Sequence, residues 1–429
     1  MTHEERRRAG FKDRTRLDAA RDRLLDAVSP HGRTERLSLA RADGRTLATA
    51  VDAPRPVPGY DRAAMDGYAV RAADTFGASD RSPATLREAG HAEAGDGVGP
   101  NEAVRVHTGS ELPAGADSVV MIEHADSVGG DVEVFDAVTE GENVGPVGED
   151  VGEGQRLYDP GHDLRPSDLG LLKSVGVDEV EVYERPTVGV VPTGEELVQY
   201  DPDPGEVIET NGLTVSSLVG RWGGDPTYRE VVTDDRAALR TAIQRDLTKD
   251  LIVTTGGSSV GERDLIPEVV DDLGEVLVHG VALKPGHPVA LGVVEETPVL
   301  MLPGYPVACI VNAVQFLQPA LRAAAGRDFD PPPTRPATLT RKISSDVGER
   351  TFVRVRTESS DEASGDGAGD PDGGAGGDAP DLAATPTRAS GSGVLSSVSL
   401  ADGWVVVPES REGIDAGEVV DVEFWEWSQ

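Results

Sequence analysis

Cysteine is nearly absent from this chain. One residue, Cys309, occurs in 429, which excludes a disulfide framework, and its place in an apolar helical run predicts a buried structural thiol. Lysine is almost as scarce: Lys12, Lys173, Lys249, Lys284 and Lys342 are the only five among 40 basic residues. Aromatics make up 4% and apolar residues 38%, so the cores must be built from Val, Leu and Ala. No apolar stretch is expected to reach the roughly 18 residues a membrane span needs. The N-terminus, MTHEERRRAGFKD, has charge but no apolar stretch and is not a signal peptide, which makes the cytoplasm the default location. His107, His124, His279, His287 and Cys309 lack zinc-site spacing. The deficit of basic groups leaves a net charge of −36, and a surface of that kind reads as salt-adapted. It excludes nucleic acid and anionic membranes as partners, and an anionic substrate would need a local positive site.

What the chain does have is a strand that breaks at glycines. Residues 251–264 read LIVTTGGSSVGERD, and an apolar run at helical spacing follows: Leu265, Ile266, Val269, Val270 and Leu273. A strand–glycine–helix junction can place backbone N–H groups around an anion. Gly256, Gly257, Ser258, Gly261 and Asp264 are the candidates for that cradle. Neither GxxxxGK[ST] nor GxGxxG is met, so a plain turn with Ser258 or Asp264 capping the helix competes evenly with anion binding.

At about 150 residues per domain the length allows roughly three domains. Thr15 to Val28 is predicted as an amphipathic helix with Thr15 as N-cap, and residues 33–53 as a second short helical element. Residues 54–144 read as a β-rich domain of short Val-rich strands. Residues 1–53 with 145–185 form a helical and linker domain, in which Pro166 opens a helix that Gly176 stops. From 186 to 330 strands alternate with helices: strands 187–192, 229–232, 251–255 and 298–302, and helices at 211–221, from near Asp235, and from Pro306 to near Ala325. That alternation predicts a doubly wound, mostly parallel sheet, so the fold class is α/β plus β, multidomain. Ligands of such sheets bind beyond the carboxyl ends of the strands, where loops 193–196, 255–264 and 303–306 lie. Residues 331–336 (PPPTRP) make a stiff linker to a C-terminal β-barrel-like domain, 331–429. Within it 358–393 is Gly-, Ala-, Asp- and Ser-rich and reads as a disordered acidic insert.

Seven segments in order carry a resemblance: PGYDRAAMDGYAV (58–70), HTGSELPAGADSVVMIE (107–123), GEDVGEGQRL (148–157), VPTGEEL (191–197), TGGSSVGERD (255–264), LKPGHPVALG (283–292) and LPGYPVA (302–308). Together they resemble the molybdopterin molybdenumtransferases, the MoeA and gephyrin E-domain family, over nearly the whole chain from about residue 15. The resemblance implies an enzyme that takes adenylylated molybdopterin and molybdate, leaves molybdenum on the pterin dithiolene and releases AMP, with Mg²⁺ or another divalent cation. It also implies an elongated homodimer of four-subdomain protomers, with the cleft between the α/β molybdopterin-binding domain of one subunit and the β-rich domain of the other.

Carried over by position, the resemblance makes Asp66 a catalytic carboxylate and candidate metal ligand, since a carboxylate beside a phosphoanhydride needs a cation between them. Asp150 matches a cleft carboxylate, and Thr108 a position that hydrogen-bonds an oxyanion. Glu196 and Asp234 match residues on the ligand face of the α/β domain. Either also fits a structural role, Glu196 as a first-turn acid and Asp234 beside Asp235 as a helix cap. Asp264 would serve the phosphate end through Mg²⁺. Lys284, kept in a chain that has discarded lysine, would offset anionic charge and stabilise departing AMP. Pro303, Gly304 and Pro306 shape the LPGYP loop.

Three positions depart from the family pattern. Gly280, preceded by His279, stands where a second lysine is common, His287 replaces a cation in PGKP, and Tyr305 replaces asparagine in PGNP. They reduce positive charge. Alternatives from other classes are a tungstate-using paralogue, a molybdopterin adenylyltransferase, and a non-enzymatic scaffold of the same fold.

Overall fold

The computed structural model describes residues 14–91, 97–256, 265–359, 380–387 and 393–426. The chain divides into two units, Thr34–Val182 and Met1–Arg33 with Tyr183–Gln429. Helix α1 (Leu17–Asp26) belongs to the second. Leu17, Ala20 and Leu24 recur at helical spacing and are fully buried, so truncating Leu24 to Ala should cost about 2–5 kcal/mol. The expected cap does not form. Arg16, not Thr15, is the N-cap and makes no side-chain capping bond, because Thr15 is held in backbone pairing: its N–H donates to Gly280 O.

In the unit 34–182, the helical element expected at 33–53 is instead a strand, Thr34–Ser38, one turn of 3-10 helix, Leu39–Arg41, and a short strand, Val51–Asp52. Thr34–Ser38 pairs with Glu179–Tyr183, and Val51–Asp52 with Arg156–Tyr158. These partners lie more than 100 residues away, so nothing local in the sequence announces them. A mixed sheet follows, made of β1 (Gly67–Val70), β2 (Ala84–His91), β3 (Glu102–Val106), β4 (Ser118–Met121), β5 (Ala125–Val128) and β6 (Asp131–Val134), in the order β4-β1-β3-β2-β6-β5. Gly67 is forced by the approach of β4: a Cβ there would lie 1.9 Å from Val120 O. Helix α2 (Pro166–Ser174) begins at the proline as expected, with Asp168 accepting from the Arg165 N–H at 2.9 Å.

The second unit holds a six-stranded sheet built from β7 (Thr187–Pro192), β8 (Asp225–Tyr228), β9 (Leu251–Thr255), β10 (Glu275–His279), β11 (Ala290–Val294) and β12 (Thr297–Leu302). Its order is β8-β7-β9-β12-β11-β10; the first four strands are parallel, and β11 is antiparallel to both of its neighbours, β12 and β10. The strand expected at 229–232 is therefore four residues early, because Asp225–Tyr228 takes up the ladder beside Thr187–Val190. Helices α3 (Asn211–Arg221), α4 (Arg236–Asp246) and α5 (Ile266–Leu273) connect the strands. After β12, α6 (Pro306–Asn312), a π-turn (Ala313–Leu317) and α7 (Gln318–Ala324) run on as one helical stretch. Pro306–Ala324 is 19 residues, long and apolar enough to cross a membrane, which corrects the expectation that no stretch approaches that length. Its side chains are spent instead on the core, 83% buried among Val190, Val253, Leu300 and their neighbours.

The C-terminal segment forms β13 (Thr334–Leu339), β14 (Arg350–Ser359), β15 (Leu382–Pro386), β16 (Gly403–Val407) and β17 (Val419–Glu423). They pair in the order β14-β15-β13-β17-β16, and β16 returns to β14, so the five close into a ring. β15 corrects the boundaries of the expected insert: Leu382–Pro386 pairs with both β14 and β13, and Ala383 and Ala384 are buried. Residues 360–379 and 388–392 of that insert lie outside the described residues.

Candidate functional site

In the unit 34–182, segments far apart in sequence are stitched around residues 57–66. The Gly109 N–H donates to Ala63 O at 2.8 Å, Leu112 N–H to Asp61 O at 2.8 Å, Gly148 N–H to Pro58 O at 2.9 Å, and Asp150 N–H to Val57 O at 3.0 Å. Asp61 Oδ1 accepts from Val147 N–H at 2.9 Å. The structure thus gathers Asp66, Thr108 and Asp150 onto one loop cluster. Asp66 sits directly before β1, with its carbonyl accepting from Ile122 N–H. Its Oδ1 accepts from the Thr108 N–H at 2.7 Å and the Thr108 hydroxyl at 3.1 Å. The Thr108 amide, then its hydroxyl, hold the Asp66 carboxyl below its ordinary range, so it is ionised and faces solvent. His107 Nδ1 lies 3.7 Å from the same oxygen. The Asp150 side chain is exposed.

In the second unit the loops leave adjacent parallel strands. Thr193 and Gly194 follow β7, Gly256 follows β9, and Pro303-Gly304-Tyr305 follows β12. The Thr193 N–H donates to Thr255 O at 2.9 Å and the Gly256 N–H to Leu302 O at 3.2 Å, so pairing runs to the strand ends. Gly256 has φ +132°, and a Cβ on it would lie 1.9 Å from Thr193 O, so no other residue fits. A Cβ on Gly304 would touch Gly256 Cα at 3.4 Å, which puts the two turns against each other. The hydroxyls of Thr193 and Thr255 are buried here with no hydrogen-bond partner among the described residues. Gly257, Ser258, Gly261 and Asp264 lie outside the described residues.

Glu196 is not a first-turn acid. No helix follows it; Leu197–Val198 pairs with Val207–Ile208 and the next helix begins at Asn211. Its carboxylate folds back over Gly194, within 2.8 Å of where a Cβ there would stand. The neighbouring aspartates separate cleanly. Asp235 caps α4, accepting from Ala237 N–H at 3.0 Å and Ala238 N–H at 2.9 Å. Asp234 is left without a capping role. Burial first, then Glu196 and Glu195, push its pKa up.

Lys284 has another setting. Leu283–Lys284 pairs with Arg350–Thr351 of β14, and its Nζ lies 2.9 Å from Asp346 Oδ2, so a carboxylate of the C-terminal segment neutralises it. The Lys284–His287 turn is anchored to α6 through Asn312, whose Nδ2 donates to Gly286 O at 3.0 Å. His287 is half-buried. Burial, then Arg14 and Lys284, lower its pKa, so its surroundings in the protein favour the neutral ring.

Three residues around the strand ends escaped the sequence reading. Buried Glu209 accepts from Gly212 N–H at 2.7 Å and from the Tyr228 hydroxyl, bracing the start of α3 against the end of β8. Asn211 donates to Gly304 O at 2.7 Å and fixes the LPGYP turn. The polar run Glu209-Thr210-Asn211 at the start of the helix was the one local signal, and it does not name its partners. Among the described residues no group of three or more His, Cys, Asp or Glu could hold a metal ion.

Known proteins match along the chain in the same order. Residues 15–176 match the MoeA N-terminal region (domains I and II), 189–323 the family described as "Probable molybdopterin binding domain", and 374–425 the MoeA C-terminal region (domain IV). A molybdopterin molybdenumtransferase of Haemophilus influenzae is 31% identical over 95% of this chain and 98% of its own. The chain belongs to the MoeA family. A relative named for molybdopterin biosynthesis from Methanocaldococcus jannaschii is 34% identical over 94% of each chain. The crystal structure of a molybdopterin biosynthesis MoeA protein from Pyrococcus horikoshii superposes with a TM-score of 0.80 at 32% identity, covering 97% of this chain and all of that one. Membership in this family brings the multidomain α/β architecture with it.

Proposed function

We propose that this MoeA-family chain is a transferase that inserts molybdenum from molybdate into adenylylated molybdopterin and releases AMP, in molybdenum cofactor biosynthesis. The observation that carries the chemistry is Asp66: an exposed carboxylate, held ionised by Thr108, with Oδ2 free of protein hydrogen bonds among the described residues. Such a group fits a hard divalent cation that takes one or two protein carboxylates and completes its shell with water and substrate phosphate. The single carboxylate suits Mg²⁺ in that mode and does not make an all-protein cage. When bound there, the cation would neutralise charge on the phosphoanhydride.

The protein's own groups divide the remaining work. Thr108 keeps Asp66 ionised and oriented. Asp150, on the same loop cluster, supplies a second exposed carboxylate. The turns at Gly256 and Gly304, with Pro303 and Pro306, present backbone to the ligand beyond the strand ends, where Asp234 and Glu196 stand ready for its polar groups. Lys284 would exchange Asp346 for an anionic substrate group. A homodimer, as the family resemblance implies, is part of the proposal, and light scattering in high salt gives its mass.

The test is AMP release from adenylylated molybdopterin by the purified chain in high salt with Mg²⁺, comparing molybdate with tungstate. Oxyanion-dependent release is expected, greater with molybdate. Release that is indifferent to oxyanion, with the fold intact, would overturn the assignment.

A further inference from the structure

Resting on that function, we infer that Tyr305 is the platform on which the fused heteroaromatic end of the substrate stacks, and hence a specificity-determining residue of this chain. Three observations place it. Tyr305 directly follows Gly304, which lies against Gly256 beyond the carboxyl ends of neighbouring strands β9 and β12. Its backbone is fixed on both sides: Gly304 O is held by Asn211, and Tyr305 O accepts from Cys309 N–H at 2.9 Å as α6 begins at Pro306. Its side chain is nevertheless 56% exposed, whereas Phe316, Phe352, Trp404 and Trp425 are buried. Gly393 lies beside one ring edge, where a Cβ would come within 3.5 Å of Cδ1.

A ring on a fixed backbone loses little entropy on meeting a planar ligand, because only two torsions remain to be ordered. Base-to-aromatic stacking is tolerant of ring identity and does not depend on charge. That suits this site. Lys284 is ion-paired with Asp346 until a substrate anion takes it, and His287 is pushed toward its neutral form by burial, Arg14 and Lys284. In a chain of net charge −36, a neutral contact holds the ligand without calling on the missing cations and without being screened by salt. Among the described residues Tyr60, Phe76, Tyr200 and Tyr228 are also exposed, but none of them lies in the turns that directly follow β9 and β12.

Both halves of the substrate carry such a ring, a pterin and an adenine, and separate titrations distinguish them. The full-length protein and its Tyr305→Phe, Tyr305→Leu and Tyr305→Asn variants are titrated with AMP and, separately, with metal-free molybdopterin, at low and high salt. Phe should retain wild-type Kd. Leu and Asn should weaken one of the two ligands by about tenfold or more, equally at both salt concentrations, with melting temperature unchanged. The ligand affected identifies the ring. Wild-type affinity for both ligands in the Leu and Asn variants would overturn the inference, as would a Phe variant no better than Leu. A wild-type protein that binds neither ligand and releases no AMP fails one step earlier, at the proposed function.

Discussion

At the scale of single residues, a pair of hydrogen bonds and one cap separate function from structure. Thr108 donates twice to Asp66 Oδ1, so Thr108→Val, which removes the hydroxyl and keeps the amide, should let the Asp66 carboxyl rise toward its ordinary range. The acid limb of kcat/KM against pH should then move to higher pH. Asp66→Asn should lower kcat by about a hundredfold or more while leaving ligand affinity near wild type, as removal of a group acting in the transition state does. A fall in affinity with kcat intact would show that its role is binding. Asp234 and Asp235 make a matched pair. Asp235→Ala should cost about 1 kcal/mol of stability with little effect on activity, as loss of an N-cap does. Asp234→Asn should do the reverse. Its folded pKa is raised, so the stability it contributes is present below the unfolded pKa and lost as pH rises through the folded one. At neutral pH the amide should therefore melt no lower than wild type while turnover falls. The sequence could not divide these neighbours, because only the direction of a side chain decides which one meets the α4 amides.

At the scale of elements, what was legible followed from local pattern. The strands at 187–192, 251–255 and 298–302 and the helices of 187–324 were evident because short β-branched apolar runs alternate with apolar residues at helical spacing. The glycine turns mark the strand ends where Gly256 and Gly304 meet. The strand expected at 229–232 lies at Asp225–Tyr228, and Glu275–His279 and Ala290–Val294 went unpredicted. What was not legible depended on distant partners. Residues 34–38 and 51–52 are strands only because Glu179–Tyr183 and Arg156–Tyr158 come to pair with them. Leu382–Pro386 hides inside a stretch of Gly, Asp and Ala because its stability comes from pairing on both sides. The bracing by Glu209 and Asn211 was missed for the same reason. Cys309, on α6, supplies a check on element stability: burial, then Glu209, push its thiol pKa far up. A thiol reagent at neutral pH should label it only as fast as the helix opens, and at full rate in denaturant. Rapid labelling of the native protein would show that α6 is loosely held.

At the scale of the whole molecule, charge dominates. A net −36 repels itself, and raising ionic strength from 0.1 to 1 M shortens the screening length from about 10 to about 3 Å. The melting temperature should therefore climb with added salt and fall steeply on dilution, for any neutral inert salt of the same ionic strength. A flat profile would remove the salt-adapted interpretation of the composition. Composition gave the net charge, whereas the family emerged only when seven short segments were read in order, and neither revealed how the strands pair.

The ring of five strands has a practical corollary for reshaping the chain. Ser359 and Leu382 are ladder partners on neighbouring antiparallel strands, so β14 ends and β15 begins side by side in the barrel. Closing a loop costs about (3/2)RT ln n, which changes by only about 0.6 kcal/mol for each doubling of its length. Residues 360–381 are thus a place where the protein can be shortened to an Asn-Gly hairpin, or lengthened by a tag or a guest domain, with the barrel indifferent to which.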